Sequence, residues 1–491
     1  MVDSKSLIPY EKDSRQSWIA LVVSFSTFVV IGGITIPTFG IMLPYLEYYF
    51  KNVGDDYSAV MNIGPLQNGI MLLFAPLGGL IIARFGIHAS CIGGCLIASL
   101  SIIFSTISPT VMKLNILYGV FSGIGLSMLL IKIIISCDLS FERYRVVAST
   151  ISRSGQFFGF FVFPSLYSLA IEKYDWKMCF YITSIILLFI LMVELLIIAM
   201  ETAITKRKCY LENRNIDTMN ENQNLISSEN SAKYVQLSSI IASKENLNIS
   251  AEKSIEYVND KENADKPCPR EFEESSNTTI LKYTWSMIFH HYGFLINRNG
   301  VALLILLGKF FGEGTIIVHN TILPSLLLEK GIEEDDSVLI VLIENGVGLL
   351  SCILCGLILN HYRKSKTITP VNVTTIAFLI AGLAYLIMYF AENFSLLMTL
   401  CVVSGLTKST YLALNSVLWF DLIPTDAFVL AIAYTQVVQG FGSIMFPLIV
   451  SFLYSNYGDY TTGMLVESSA AVICAIFFAS GSYVSQINGN T

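Results

Sequence analysis

Apolar residues occur along this chain in long blocks separated by short polar stretches. Twelve blocks reach about 20 residues, the length that a helix needs to cross the hydrocarbon core of a bilayer. In lipid a spanning helix satisfies its own backbone hydrogen bonds, so the pattern predicts an all-α membrane protein with twelve transmembrane helices. They are expected near residues 18–46, 59–82, 87–108, 112–138, 145–170, 177–203, 299–327, 336–360, 368–391, 395–420, 427–454 and 460–484.

The twelve blocks form two sets of six that occupy stretches of equal length, 18–203 and 299–484. Equal halves indicate an internal repeat, so we expect two pseudo-symmetric six-helix bundles. The predicted organisation is an N-terminal tail, an N-terminal bundle, a central loop, a C-terminal bundle and a C-terminal tail, at 1–17, 18–203, 204–290, 291–484 and 485–491.

The central loop differs in composition from the rest of the chain. Residues 206–285 are rich in Asn, Glu, Ser and Lys and contain no apolar block long enough to span a bilayer. Such a stretch buries too little apolar surface to offset the entropy of ordering, so most of it is expected to be disordered.

Basic residues predict the orientation. An even number of spans places both termini on one side, and the loops on that side contain Arg84, Arg143, Arg145 and Arg363. Loops on the other side carry acidic residues such as Asp55 and those at 333–336. By the positive-inside rule both termini are expected in the cytoplasm. The plasma membrane is the expected location, although the loop charges do not themselves identify the membrane.

Composition narrows the function classes. The 491 residues are 54% hydrophobic and 14% charged, against about a quarter charged in soluble domains, and mean hydropathy is +0.63. These values exclude an ordinary soluble enzyme, and a net charge of −7 gives no reason to expect a nucleic-acid partner. Only five histidines occur, and we find no catalytic or metal-binding cluster at matched depth, so neither enzymatic activity nor a cofactor or metal is expected.

A glycine-rich basic motif follows the second predicted span. It contains Gly79, Arg84 and Gly86, and the second half repeats it between Gly356 and Arg363. The motif resembles the loop between helices two and three of the major facilitator superfamily. By this resemblance these residues, with Arg143 and Arg145 in the loop between helices four and five, belong to gating loops.

Two further stretches resemble the monocarboxylate transporter family in order and spacing, from Tyr118 to Gly159 and from Asp421 to Gly463. The resemblance implies a secondary transporter that moves a small organic solute, a monocarboxylate first, by alternating access. It also implies the lipid bilayer as environment, a proton as candidate co-substrate and a single-span accessory glycoprotein as candidate partner.

Three positions depart from that family. Thr38 follows Pro37 where proton-coupled members carry Lys, and Gly348 and Cys352 stand where they carry Asp and Arg. Transport of aromatic amino acids or other neutral solutes without proton coupling therefore remains an alternative. A non-transporting receptor or scaffold is the alternative of another class.

Ionisable residues inside predicted spans are candidates for the substrate site, because each costs at least about 2.5–3.5 kcal/mol at the bilayer centre. In the first half, Lys132 and Arg153 lie at similar depth, and Glu194 is placed to neutralise one of them. Both cations are candidates for a substrate cavity. Alternatively, Lys132 extends to the interface and Arg153 stabilises a helix end.

In the second half, Lys309 and Glu313 are four residues apart and are expected to form a local ion pair. Glu344 and Lys408 are isolated in their helices, so we expect them to pair beside the cavity, with Asn345 as a neighbouring polar group. The pair is either a gate or proton-responsive site, or a contact that only fixes helix packing. In the first case, exchanging the two charges should partly restore the transport that single replacements impair.

Overall fold

The computed structural model describes residues 12–34, 36–53, 60, 62–108, 110–200, 202–203, 300–362, 368–420 and 425–489. Within these ranges, twelve helices are long and apolar enough to cross a membrane. The predicted all-α membrane fold is therefore confirmed. The predicted central loop, 204–290, lies outside the described residues.

We number the spans α1 to α12. In the first half they are α1 Arg15–Ile34, α2 Ile63–Ile82, α3 Ile87–Ser105, α4 Val111–Ser140, α5 Arg145–Lys173 and α6 Trp176–Met200. A further helix, Ile36–Val53, follows α1, so this helical region extends well beyond the predicted end at residue 46. The helical path through α2 breaks at Phe74, and Pro76, which has no N–H to donate, begins its second part.

In the second half the spans are α7 Gly300–Glu329, α8 Glu334–His361, α9 Pro370–Phe390, α10 Phe394–Phe420, α11 Ala431–Tyr457 and α12 Thr461–Ser485. Asp459 precedes α12 and caps its first turn, because its Oδ1 accepts a hydrogen bond from the Thr462 backbone N–H at 3.1 Å. That bond holds the pKa of the Asp459 carboxyl below its ordinary value. Gly458 precedes it at φ 77°, a conformation that favours glycine.

Glycines allow backbones to touch within the first half. A Cβ on Gly159 of α5 would collide with the carbonyl oxygen of Val29 in α1, and one on Gly32 of α1 would collide with Gln156 of α5. Small residues at such contacts permit close helix packing in a membrane, where the hydrophobic effect does not drive helices together. The α1–α5 contact therefore depends on these glycines.

The described residues up to 195 and from 300 onward, which include eleven complete spans and most of α6, belong to one compact unit. The most extensive contacts between the halves are those of α5 with α8 and of α2 with α11. Cys352 of α8 donates to the Thr150 carbonyl of α5 at 3.3 Å, and Asn68 of α2 donates to Ser443 of α11 at 3.0 Å. Inward-facing side chains of α1, α5, α7 and α8 are thereby held close to the boundary between the halves.

Candidate functional site

Glu344 and Lys408 form a buried ion pair, as the sequence predicted. The Lys408 Nζ donates to Glu344 Oε1 at 2.9 Å, and both side chains are almost fully buried. The same ammonium donates to the side-chain oxygens of Asn320 at 2.9 Å and Asn345 at 3.3 Å. Asn345 is thus part of this cluster, and all three hydrogens of the ammonium have an acceptor.

His319 and Glu467 complete the cluster, and the sequence analysis did not select them. The His319 ring lies between two carboxylates, with Nε2 3.1 Å from Glu344 Oε1 and Nδ1 3.2 Å from Glu467 Oε2. Neither His319 nor Glu467 is exposed. We call Glu344, Lys408, His319 and Glu467 the buried network.

Each member of the buried network carries the signal that selected Glu344, an ionisable residue within an apolar span. Glu467 is close to the start of α12 and therefore reads as a helix-end residue in the sequence. Histidine is counted as neutral in the net charge of the sequence, so His319 did not stand out as a charged residue within a span. The sequence analysis did not predict this contact of a histidine with two carboxylates, because the three separate helices α7, α8 and α12 bring these groups together.

Lys309 and Glu313 do not form the local ion pair that their spacing predicted. The Lys309 Nζ has no hydrogen-bond partner among the described residues and lies 4.2 Å from the centre of the Tyr411 ring. Glu313 instead accepts a hydrogen bond from Gln439 at 2.8 Å. In a helix, Lys before Glu is the less favourable order for such a pair, and here two tertiary partners replace it.

Arg153 is buried among helices from both halves. Its guanidinium lies 5.6 Å from the centre of the Phe28 ring of α1, and Asp138, Glu313 and Cys352 act on its charge. Among the described residues it makes no hydrogen bond or salt bridge. Arg153 also acts electrostatically on Lys309, so two buried cations without hydrogen-bonding partners lie within reach of each other. We call Arg153, Lys309 and Glu313 the central charge cluster.

Lys132 lies apart from that cluster, in contact with Glu194. Its Nζ donates to Glu194 Oε2 at 2.8 Å, and His88 Nδ1 lies 2.9 Å from the other oxygen of the same carboxylate. Glu194 therefore neutralises Lys132 and not Arg153, which settles the choice that the sequence left open. Lys132 is buried, so it does not extend to the interface as the alternative proposed.

Arg145, a predicted gating residue, contacts the other half. Its guanidinium lies 4.0 Å from the centre of the Phe420 ring and 4.5 Å from that of Phe428. Nearby, the hydroxyl oxygens of Ser149 in α5 and Ser416 in α10 are 2.8 Å apart. These contacts join the halves at the side of the membrane where α5 begins.

The other predicted gating residues are placed differently. Arg84 and Arg143 are exposed, and Asp13 accepts the Arg143 backbone N–H at 3.1 Å. Gly86 adopts φ 89° between α2 and α3, where glycine is required, whereas a Cβ on Gly79 would meet open space. Arg363 lies outside the described residues, and the side chain of Thr38 is not among those described.

Comparison with known proteins gives one family match over most of the chain. The family model described as Major Facilitator Superfamily matches residues 23–373. Mouse Monocarboxylate transporter 6 is 21% identical over 97% of this chain and 89% of its own length. Mouse Monocarboxylate transporter 12 is 20% identical over 94% of this chain and 85% of its own length.

Similarity to human Monocarboxylate transporter 14 is stronger but shorter, with 27% identity over 36% of this chain. There the matched region spans about a third, 34%, of the curated relative. A crystal structure of the peptide transporter POT in complex with sulfate superposes with a TM-score of 0.60 at 12% identity, covering 98% of both chains, which concerns the fold alone. The resemblance to monocarboxylate transporters is therefore confirmed, at low identity.

Proposed function

This chain belongs to the Major Facilitator Superfamily, and from that premise we propose that it is a secondary transporter of a small organic anion, a monocarboxylate first. The two halves would move against each other so that a site between them opens to each side of the membrane in turn. Plasma-membrane location with cytoplasmic termini belongs to the same proposal.

Arg153 is the observation that carries the proposal. A guanidinium removed from water needs a partner, because an uncompensated buried charge is strongly destabilising. The described residues offer Arg153 no hydrogen bond, whereas a carboxylate would accept two parallel hydrogen bonds from it. Its contact with α1 and the electrostatic effects of groups on α7 and α8 support this role, because the proposed solute site lies between the halves.

Lys309 supports the same assignment. Its ammonium is fully buried, is stabilised by the Tyr411 ring and has hydrogens to donate. Arg145, Arg153 and Lys309 act on the carboxyl groups of Asp138 and Glu313, so three cations face two acidic groups and one bound carboxylate would balance the charge. A neutral solute offers these cations no negative charge, and an aromatic amino acid brings an ammonium group together with its carboxylate, so both are the second candidates.

Uptake by reconstituted protein tests the proposal. Vesicles with purified protein are given labelled lactate, pyruvate, phenylalanine and tyrosine, and initial uptake rates are measured. We expect saturable uptake of a monocarboxylate, and a loss of at least about tenfold in Arg153→Gln, because one charged hydrogen-bond pair contributes roughly 1.5–3 kcal/mol. Arg15→Gln is the matched control, since Arg15 is exposed at the start of α1.

Other results would redirect the assignment. Uptake of only the amino acids would favour the neutral-solute alternative. Binding of labelled solute by the purified protein without any flux would favour a receptor. Normal monocarboxylate uptake by Arg153→Gln would show that this guanidinium does not bind the anion.

A further inference from the structure

The hydrogen bonds of His319 restrict where protons lie in the buried network. Each ring nitrogen is within 3.2 Å of a carboxylate oxygen, at Glu344 on one side and Glu467 on the other. A ring nitrogen and a carboxylate oxygen at this distance share a proton, since two lone pairs facing each other would repel. The two contacts therefore hold two protons.

The proton on the Glu344 side is fixed. One oxygen of Glu344 accepts hydrogen bonds from Lys408 at 2.9 Å and from the Ser404 hydroxyl at 3.0 Å, in addition to facing His319. Three donors around a single oxygen stabilise the carboxylate form, so His319 Nε2 carries its hydrogen toward Glu344. Loss of that proton would leave the lone pair of Nε2 facing the Glu344 oxygen with no hydrogen between them.

The proton on the Glu467 side is the exchangeable one. Glu467 Oε2 faces His319 Nδ1, while Oε1 is buried with no hydrogen-bond partner among the described residues. The buried network holds no net charge with this proton bound, because Lys408 and an imidazolium balance two carboxylates, or Lys408 alone balances one. Loss of the proton leaves one uncompensated negative charge in a buried site.

We propose that the His319–Glu467 pair binds a proton whose presence is linked to anion binding at Arg153 and Lys309. This inference rests on the proposed function of the central charge cluster. An arriving anion neutralises those cations and favours the protonated, uncharged network. When the anion leaves, the exposed positive charge favours loss of the proton, so the anion and the proton travel together.

Helix α7 connects the two sites. Lys309 and His319 are ten residues apart on it, about 15 Å at 1.5 Å per residue. At that separation and an effective dielectric constant near 20, one charge changes the affinity for the other about sixfold. By linkage the effect is reciprocal, so anion affinity falls about sixfold as pH rises through the titration of the pair.

The groups that act on the pair come from several helices. Glu344 of α8 carries the fixed negative charge, and Lys408 of α10 balances it. Other neighbouring titratable groups are Tyr385 of α9, whose ring centre is 4.9 Å from that of His319, and Cys401 of α10. Tyr385 contacts Ser404, which lies 3.1 Å from His319 Nε2, so it reinforces the fixed side of the network.

Infrared difference spectroscopy of the purified, reconstituted protein tests proton binding without any substrate. The shared proton lies on Glu467 or on Nδ1 of His319, so we expect a carbonyl band of a protonated carboxylic acid or a band of an imidazolium that disappears as pH rises. This titrating band should be absent in Glu467→Gln. The matched control, His361→Gln, alters an exposed histidine at the end of α8 and should keep the band. A titrating band that persists in Glu467→Gln, or none in the unaltered protein, would overturn the assignment of the proton to this pair.

Transport by the same vesicles tests the linkage with labelled lactate and pyruvate. Glu467→Gln imitates the protonated state, so it should exchange internal for external anion at every pH but lose accumulation driven by a proton gradient. His319→Gln, the second variant if Glu467→Gln does not fold, should shift the pH at which the band titrates and lose gradient-driven accumulation. Gradient-driven accumulation at the level of the unaltered protein in either variant would contradict the linkage. If the band titrates but the vesicles exchange neither lactate nor pyruvate, the result would count against the proposed function and against this linkage to the two acids. The proton site itself would stand.

Discussion

One oxygen atom of Glu344 faces the ammonium of Lys408, the ring of His319 and the hydroxyl of Ser404. At the residue scale this arrangement changes what an exchange of charges between Glu344 and Lys408 should do. A lysine at position 344 would face the imidazole of His319, which needs an acceptor there. The reversed pair would keep the net charge but would place a donor, and no acceptor, against the ring of His319.

Lys408→Met is expected to lower the free energy of unfolding by about 3–5 kcal/mol, because it leaves a buried carboxylate with one donor fewer. Thermal unfolding of the purified protein measures this effect. Combining Glu344→Lys with Lys408→Glu should restore neither stability nor uptake. Restoration to the level of the unaltered protein would show that only the two charges matter and that His319 does not constrain them.

Lys12→Met supplies the matched control, since Lys12 forms an exposed salt bridge of 3.6 Å with Glu142. Water screens that pair, so its loss should leave the unfolding temperature nearly unchanged. A drop equal to that of Lys408→Met would mean that detergent or reconstitution, and not burial, determines the result.

At the scale of elements, the contact between α1 and α5 relies on glycine. Gly159→Ala places a methyl group against the Val29 carbonyl oxygen and the Gly33 backbone, so the helices must separate or the chain must distort. Overpacking of this kind costs typically about 1–3 kcal/mol. We expect a lower unfolding temperature together with slower uptake, because α5 also carries Arg153.

Gly300→Ala provides the comparison, because a methyl group there meets open space at the start of α7. Equal unfolding temperatures for Gly159→Ala and Gly300→Ala would refute a close contact between α1 and α5. A fall in stability with normal uptake would separate the packing role of α5 from the placement of Arg153.

At the scale of the whole molecule, alternating access requires contacts between the halves to break on one side at a time. Ser149 and Ser416 provide such a contact, with hydroxyl oxygens 2.8 Å apart on α5 and α10. If both are replaced by cysteine, oxidation should form a disulfide, whose sulfur atoms need to approach to about 2.05 Å. We expect the cross-link to stop uptake and a reducing agent to restore it.

The single variants, Ser149→Cys and Ser416→Cys, are the controls and should keep uptake after oxidation. They also show whether the described native cysteines, all free and buried, react under the same conditions. Full uptake by a cross-linked double variant would mean that this contact stays closed throughout the transport cycle.

Each half contains a buried glutamate between a histidine and a lysine, but in different positions. In the first half Glu194 contacts His88 and Lys132, and in the second Glu344 contacts His319 and Lys408. His88 is partly exposed whereas His319 is buried, so the two sites differ in access to water. The pseudo-symmetry of the helices therefore does not extend to equivalent chemistry.

The sequence by itself determined the membrane fold, the number of spans and the separation into two halves. The physical reason is that the bilayer fixes both the length of a spanning helix and its apolar composition, so each span is readable locally. The same cost of burying a charge identified Arg153, Lys132, Glu344 and Lys408 as residues that need partners.

Only the tertiary structure decided who those partners are. Lys309 and Glu313 are neighbours in sequence but turn to Tyr411 and Gln439, while His319 and Glu467, 148 residues apart, face each other. Periodicity gives the face of a helix but not the helix against which that face packs. Partner choice depends on how α7, α8, α10 and α12 pack together, and no local stretch of sequence contains that information.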